Sequence, residues 1–135
     1  MSNLIFKDGG EFQVKQITIN VENKPGEVYR VCDALGKRGI NITSLFGSGG
    51  GRFIKLLTED EKSTIKALEQ AGFKASSDDI LIIKIPDKAG ELAKVMAKLA
   101  FARINVNSLY LITREKDKAV LGVEVDDLEK AKKLL

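Results

Sequence analysis

The sequence predicts an α+β fold of two ferredoxin-like βαββαβ units packed side by side, the second of which lacks its last strand. An internal repeat with a spacing of 64 residues supports two units. Each copy opens with a strand pattern and continues with an amphipathic helix pattern, and the helical stripes fall in register. The identical pairs are Lys24/Lys88, Gly26/Gly90, Glu27/Glu91, Val31/Val95, Leu35/Leu99, Ile40/Ile104, Asn41/Asn105, Ser44/Ser108 and Leu45/Leu109.

The first copy carries a complete set of elements. Its first strand alternates apolar and polar residues, so that Ile17, Ile19 and Val21 share one buried face. A right-handed crossover through the first helix makes the first and third strands neighbours, with both helices on one face. The predicted elements are a strand (14–22), a helix after Pro25-Gly26, two strands (40–46 and 52–58), a helix (59–71) and a short strand within 73–79.

The first helix has one apolar stripe in each copy. The stripe consists of Val28, Val31, Cys32 and Leu35 in the first copy, and of Leu92, Val95, Met96 and Leu99 in the second. Spacings of i, i+3, i+4 and i+7 place such residues on one helical face, which we expect to be buried. We therefore expect Cys32 to be a small core residue rather than a reactive thiol.

The second copy has no residues for a fourth strand. Its first strand (80–85) is apolar at almost every position, which predicts a place near the middle of a sheet. Two further strands (106–113 and 119–125) and a helix that begins near Asp126 complete it. We hypothesise that either Leu4 to Lys7 or a neighbouring chain occupies the place of the missing strand.

The repeat divides the chain into three parts. These are an N-terminal extension (1–14), a first unit (15–79) and a C-terminally short second unit (80–135). In the extension, two apolar segments flank Asp8-Gly9-Gly10, which is typical of a hairpin. A partly frayed leader is the alternative interpretation.

The composition argues against several function classes. A net charge of +3 is too small to indicate nucleic-acid binding. The single cysteine excludes an intrachain disulfide and a cysteine-based zinc site, and the lack of histidine removes the commonest general base and metal ligand. We expect no catalytic residues, no metal and no cofactor. Since the sequence shows no apolar run of transmembrane length and no recognisable signal peptide, we expect a cytoplasmic protein without a membrane partner.

The segment Asn23-Lys24-Pro25-Gly26, followed by Gly39-Ile40-Asn41-Ile42, resembles the ACT domain, a small ligand-binding regulatory module of amino-acid metabolism. The resemblance covers both copies and looks like the tandem ACT proteins that carry no enzyme domain. It implies a non-catalytic regulatory protein that binds a small-molecule amino acid where two such units meet side by side. We expect a homodimer, with an enzyme of amino-acid biosynthesis as its possible partner.

The resemblance places the ligand between the loop after the first strand and the start of the second strand. Asn23 and Asn41 match asparagines that hold the effector in serine-inhibited relatives, although Val21 stands where that motif has histidine. An asparagine amide both donates and accepts hydrogen bonds, as the two ends of an amino acid require. The helix start offers N–H groups to a carboxylate. The implied contacts at that start are Pro25, Gly26, Glu27 and Val28.

These residues also have purely structural interpretations. Asn23 is a plausible helix cap, and Asn41 could form a hydrogen bond at a strand start. Glu27 and its equivalent Glu91 complement the helix dipole from the first turn.

The second copy departs from the ligand-binding pattern. Asp87 replaces Asn23 and Ala89 replaces Pro25, whereas Gly90 and Asn105 are retained. A carboxylate at position 87 would repel a ligand carboxylate but could pair with an ammonium group. We therefore expect two unequal sites, Asp87, Gly90 and Asn105 forming the weaker one.

The main alternative function is a scaffold subunit that binds a partner enzyme without its own effector.

Two other functions found on this topology lack the residues that they need in this sequence. RNA-binding modules stack bases on aromatic side chains of the central strands, and only 6% of the residues here are aromatic. A small phosphatase would show an arginine in the loop that holds Lys24-Pro25-Gly26.

Overall fold

The computed structural model describes residues 11–48 and 50–135. The order of elements confirms the α+β fold of two ferredoxin-like units. Contacts divide the chain into a first unit, Lys15–Asp78, and a second unit in which Asp79–Leu135 are joined by the strand residues Glu11–Val14. The elements are β1 (Glu11–Asn20), α1 (Glu27–Gly36), β2 (Ile42–Ser48), β3 (Phe53–Thr58), α2 (Glu61–Gln70), β4 (Ala75–Pro86), α3 (Glu91–Phe101), β5 (Val106–Glu115), β6 (Lys118–Val125) and α4 (Leu128–Leu134).

In the first unit the strands lie in the order β2-β3-β1-β4, and β3 pairs antiparallel with both β2 and β1. The N–H of Asn20 donates to the carbonyl oxygen of Lys74 (3.1 Å), where β4 is about to begin. The alternation predicted for β1 is confirmed, because Ile17 and Ile19 are fully buried. The core consists of Ile17, Ile19, Val31, Leu35, Ile54, Leu56, Ala67, Leu68 and Phe73.

The predicted stripe of α1 is only half right. Val31 and Leu35 are buried, whereas Val28 is 55% exposed and Cys32 is also exposed, so the prediction that Cys32 is a core residue is wrong. The inward face of the helix carries Glu27, Val31 and Leu35 at successive i, i+4 positions. Because Glu27 takes the first inward position, Val28 and Cys32 lie beside the packed face.

In the second unit β6 pairs antiparallel with β4 and β5, and β4 also neighbours β1. The prediction for 80–85 is confirmed, because β4 lies inside the sheet and Ile80, Leu81 and Ile82 are at most 1% exposed. The core consists of Leu81, Ile83, Ile85, Leu99, Ile104, Ala119, Leu121, Val123 and Ala131.

The place of the missing fourth strand is taken by the start of β1. Glu11–Val14 belong to the second unit, and Lys132 of α4 donates from Nζ to Gln13 Oε1 at 2.9 Å. The segment Leu4 to Lys7 and the predicted hairpin at Asp8-Gly9-Gly10 lie outside the described residues. The two strands predicted around residue 79 are one strand, β4, whose first residues serve the first unit.

Candidate functional site

The loop between β1 and α1 is exposed from Glu22 to Gly26. Gly26 is the residue that precedes the helix, with φ of 92°, and Gly90 repeats this conformation with φ of 89°. A side chain at either position would meet nothing within 4 Å. The repeat therefore keeps glycine here because of its backbone conformation, which other residues rarely adopt. Since Gly26 precedes the helix, the interpretation of Asn23 as the helix cap is wrong.

The start of α1 has free hydrogen-bond donors. The N–H of Glu27 donates to the carbonyl oxygen of Lys24 at 3.4 Å. The N–H groups of Val28 and Tyr29 have no acceptor within the described part of the chain. Unsatisfied N–H groups at a helix start attract anions, because they add to the positive end of the helix dipole. The loop thus presents a place for a carboxylate.

Glu27 has both carboxylate oxygens engaged within the first unit. Oε2 accepts from the N–H of Glu22 at 3.2 Å, and Oε1 accepts from Arg30 Nη1 at 2.8 Å. The hydrogen bond from the Glu22 backbone and the Arg30 guanidinium lower the pKa of the Glu27 carboxyl. Arg30 also donates to the carbonyl oxygen of Ala71 (3.1 Å) and lies 4.6 Å from the centre of the Phe73 ring. These contacts favour a structural role for Glu27, which braces the loop.

The equivalent loop of the second unit is crossed by an arginine. Arg114 Nε lies 2.8 Å from Asp87 Oδ2, and the N–H of Asp87 donates to the carbonyl oxygen of Asp117 at 2.8 Å. At the repeat spacing of 64, the sequence counterpart of Arg114 is Gly50, which has no side chain. Asp87 is therefore paired within its own unit, and the second loop is more closed than the first.

The two asparagines of the first unit lie at opposite ends of its sheet. On β3, the partner of Asn20 is Phe53, and the partner of Ile42 is Thr58, five residues further along. At the rise of an extended strand, this separates the loop of Asn23 from Asn41 by roughly 16 Å. The structure therefore does not bring Asn23 and Asn41 together within one unit.

Asn41 lies at a polar cleft of about 500 Å³ in the first unit. The amide of Asn41 has no hydrogen-bond partner among the described residues. In the second unit, the Asn105 amide donates to Asn107 Oδ1 at 2.8 Å, so the equivalent side chain is already engaged. The cleft is lined by Arg38, Gly39, Ile40, Asn41, Glu59, Asp60, Ser63 and Lys66.

Neither arginine of these loops was predicted from the sequence. Arg30 stands three residues after Glu27, a spacing at which opposite charges meet on a helix, so the local pattern could have revealed this pair. Arg114 pairs with a carboxylate 27 residues earlier, and no local spacing signals that contact.

The described residues contain no group of three or more His, Cys, Asp or Glu side chains that could hold a metal ion. None of the helices in the described ranges is both long and apolar enough to cross a membrane.

The chain matches a protein family described as an ACT domain pair over residues 12–135. Protein BT0572 from Bacteroides thetaiotaomicron is 24% identical, with a TM-score of 0.83 over 94% of this chain and 89% of that one. The regulatory subunit of aspartate kinase from Thermus thermophilus is 18% identical, with a TM-score of 0.67 over 94% and 92%. The Thermus flavus subunit is 19% identical, with a TM-score of 0.61 over 84% and 86%. No curated protein matches the chain.

Proposed function

Because the chain belongs to the family of ACT domain pairs, we propose that it is a non-catalytic regulatory protein that senses a free amino acid. The observation that carries this proposal is the contrast between the two loops. The first loop is open and presents the N–H groups of Val28 and Tyr29. The second is crossed by the pair of Arg114 and Asp87. The N–H groups of Leu92 and Ala93 at the start of α3 likewise have no acceptor among the described residues, so the pair of Arg114 and Asp87 is what distinguishes the loops. An effector carboxylate is expected at the first loop, which lacks Asp87.

The proposed effector site lies where the first units of two chains meet. A site that uses both Asn23 and Asn41 needs two units, because the two ends of one sheet are too far apart for a free amino acid. The edge strand β2 and the start of α1 carry apolar side chains that a second copy would cover. These are Leu45 (44% exposed), Phe46 (39%), Val28 and Tyr29 (69%). Unpaired edge strands readily add a further strand from another chain.

In this arrangement one chain supplies the loop and the other supplies Asn41. The Asn23 amide and the free N–H groups of α1 hold the carboxylate of the amino acid, and Asn41 of the second copy accepts from its ammonium group. Lys24 stays with Glu22, whose carboxylate lies 2.9 Å from its Nζ. Glu27 keeps the loop in place and makes no direct contact.

A thermal-shift screen of the twenty amino acids tests this proposal, with the oligomeric state measured by light scattering. A ligand at 100 times its Kd stabilises the folded protein by about 2.7 kcal/mol, which raises the melting temperature measurably. Asn23→Ala and Asn41→Ala should each weaken the shift, whereas the matched change Asp87→Ala should leave it unchanged. If none of the twenty changes the melting temperature at millimolar concentration, the proposal is wrong.

A second candidate function is that of a regulatory subunit that binds an enzyme of amino-acid metabolism without an effector of its own. It is favoured by the likeness to regulatory subunits of aspartate kinase. Phe101, which is 89% exposed at the end of α3, offers an apolar anchor for such a partner. Capture of a catalytic kinase subunit, lost in Phe101→Ser and unaffected by any amino acid, would favour this function over the first.

A further inference from the structure

The cleft beside Asn41 is lined almost entirely by polar groups of both signs. Arg38 and Lys66 supply positive charge, and Glu59 and Asp60 supply negative charge. Ile40 is the sole large apolar residue among the lining residues. An apolar side chain placed here would desolvate charges without a compensating hydrogen bond, which costs free energy. The lining therefore suits a polar group.

Three of the lining side chains have unused hydrogen-bonding capacity among the described residues. Lys66 and Asn41 have no side-chain partner among the described residues. Arg38 donates from Nη2 to Gln70 Oε1, which leaves most of its five N–H donors available. Asp60 is committed to the start of α2, because its Oδ1 accepts from the N–H of Ser63 at 3.0 Å.

The second unit shows the same place closed by its own side chains. Lys130 occupies the position of Ser63, since each donates its backbone N–H to the aspartate that caps its helix. Lys130 Nζ donates to the carbonyl oxygen of Ala102, the counterpart of the cleft residue Arg38 at the repeat spacing of 64, at 2.7 Å. Asp126 Oδ1 accepts from the N–H of Asn105 at 3.0 Å on the same side. The first unit is open because Ser63 is too short to make such a bridge.

We propose that the cleft of the first unit receives the side chain of the bound amino acid and selects a polar or charged one. The inference rests on the proposed function, in which Asn41 contacts the effector. An amino acid whose ammonium group reaches Asn41 directs its side chain toward the cleft lined by Lys66 and Arg38. The polar lining residues are exposed in the free protein and become covered when a ligand side chain enters the cleft, so a ligand that lacks matching polar groups leaves them unpaired.

Ser63→Lys tests the cleft, because it introduces the bridging side chain that the second unit already has. The change is compatible with folding, since Lys130 occupies the same helical position and keeps the same cap hydrogen bond. We expect the apparent Kd of the effector to rise at least about tenfold, as one lost hydrogen bond of about 1.4 kcal/mol predicts. Lys130→Ser in the second unit, which lies outside this cleft, is the control and should retain affinity.

A thermal-shift screen of the twenty amino acids tests the role of the cleft separately from the proposed function. The largest thermal shifts should come from amino acids with polar or charged side chains, and Ser63→Lys should reduce them, as an about tenfold higher Kd requires. If leucine, isoleucine or phenylalanine gives the largest shift, or if Ser63→Lys leaves the shift intact, the proposed role of the cleft is wrong while the proposed amino-acid-sensing function stands. A panel without any shift would overturn both.

Discussion

Gly26→Ala measures the backbone conformation that positions the candidate loop. Gly26 has φ of 92° and ψ of −13°, in the left-handed region, where a Cβ costs roughly 1–2 kcal/mol. Because the new methyl group would meet nothing within 4 Å, the cost contains no steric contribution from neighbours. Alanine also restricts the unfolded chain, which returns about 0.4–1 kcal/mol.

Gly36→Ala provides the matched control. Gly36 is the last residue of α1, its φ is not positive, and a Cβ there would also meet nothing within 4 Å. The two variants restrict the unfolded chain equally, so their difference isolates the cost of the left-handed conformation. We expect Gly36→Ala to stabilise the protein and Gly26→Ala to lie about 1–2 kcal/mol below it.

Urea unfolding followed by far-ultraviolet circular dichroism measures this difference. With a slope of about 1–3 kcal/mol per molar urea, the two midpoints should differ by about 0.3 M or more. Gly90 has nearly the same φ, so Gly90→Ala should repeat the loss. Equal midpoints for Gly26→Ala and Gly36→Ala would show that the loop does not hold the left-handed conformation.

Three further predictions follow from packing and charge. The pKa of the Glu27 carboxyl is lowered from its ordinary 4.5, so the ionised carboxylate stabilises the folded protein above pH 4.5. This stabilisation is lost as the pH falls below 4.5. The urea midpoints of the wild type and Glu27→Gln should therefore converge in acid. Leu35→Ala should lower the free energy of unfolding by about 2–5 kcal/mol, whereas Cys32→Ala should change it by no more than about 0.5 kcal/mol. A larger loss for Cys32→Ala than for Leu35→Ala would show that α1 is rotated toward Cys32. Gln13→Pro should lower the protection of amides in β4 and β6, measured by hydrogen exchange. Unchanged protection would show that Glu11–Val14 do not pair with the strands of the second unit.

The repeat and its periodicities predicted most of the fold, because they depend on local sequence. Alternation identified the buried face of β1, and the continuous apolar run identified β4 as an inner strand. The rotation of α1 could not be predicted, since an apolar stripe allows either flank to face the core. Tertiary contacts determine this rotation, because the buried Glu27 carboxylate accepts hydrogen bonds from the Glu22 backbone and from Arg30.

The candidate site was predictable only in part. The family motif indicated Asn23 and Asn41, and their role as ligand contacts remains a prediction. The difference between the two loops was expected from Asp87. Its ion pair with Arg114 could not be predicted, because Arg114 lies on a hairpin distant in sequence. The cleft beside Asn41 was not predictable, because its openness depends on the length of one side chain, Ser63, on another helix.

The discontinuity of the second unit affects how the protein is made. The first unit is a contiguous segment nested inside the second in the sequence, as in a domain insertion, so its synthesis is complete before that of the second unit. Glu11–Val14 are synthesised early, but their partners in the second unit are available only after Asp79–Leu135 have been synthesised. The second unit thus carries the long-range pairing that slows folding, and the interval before its completion is the period of greatest exposure to aggregation.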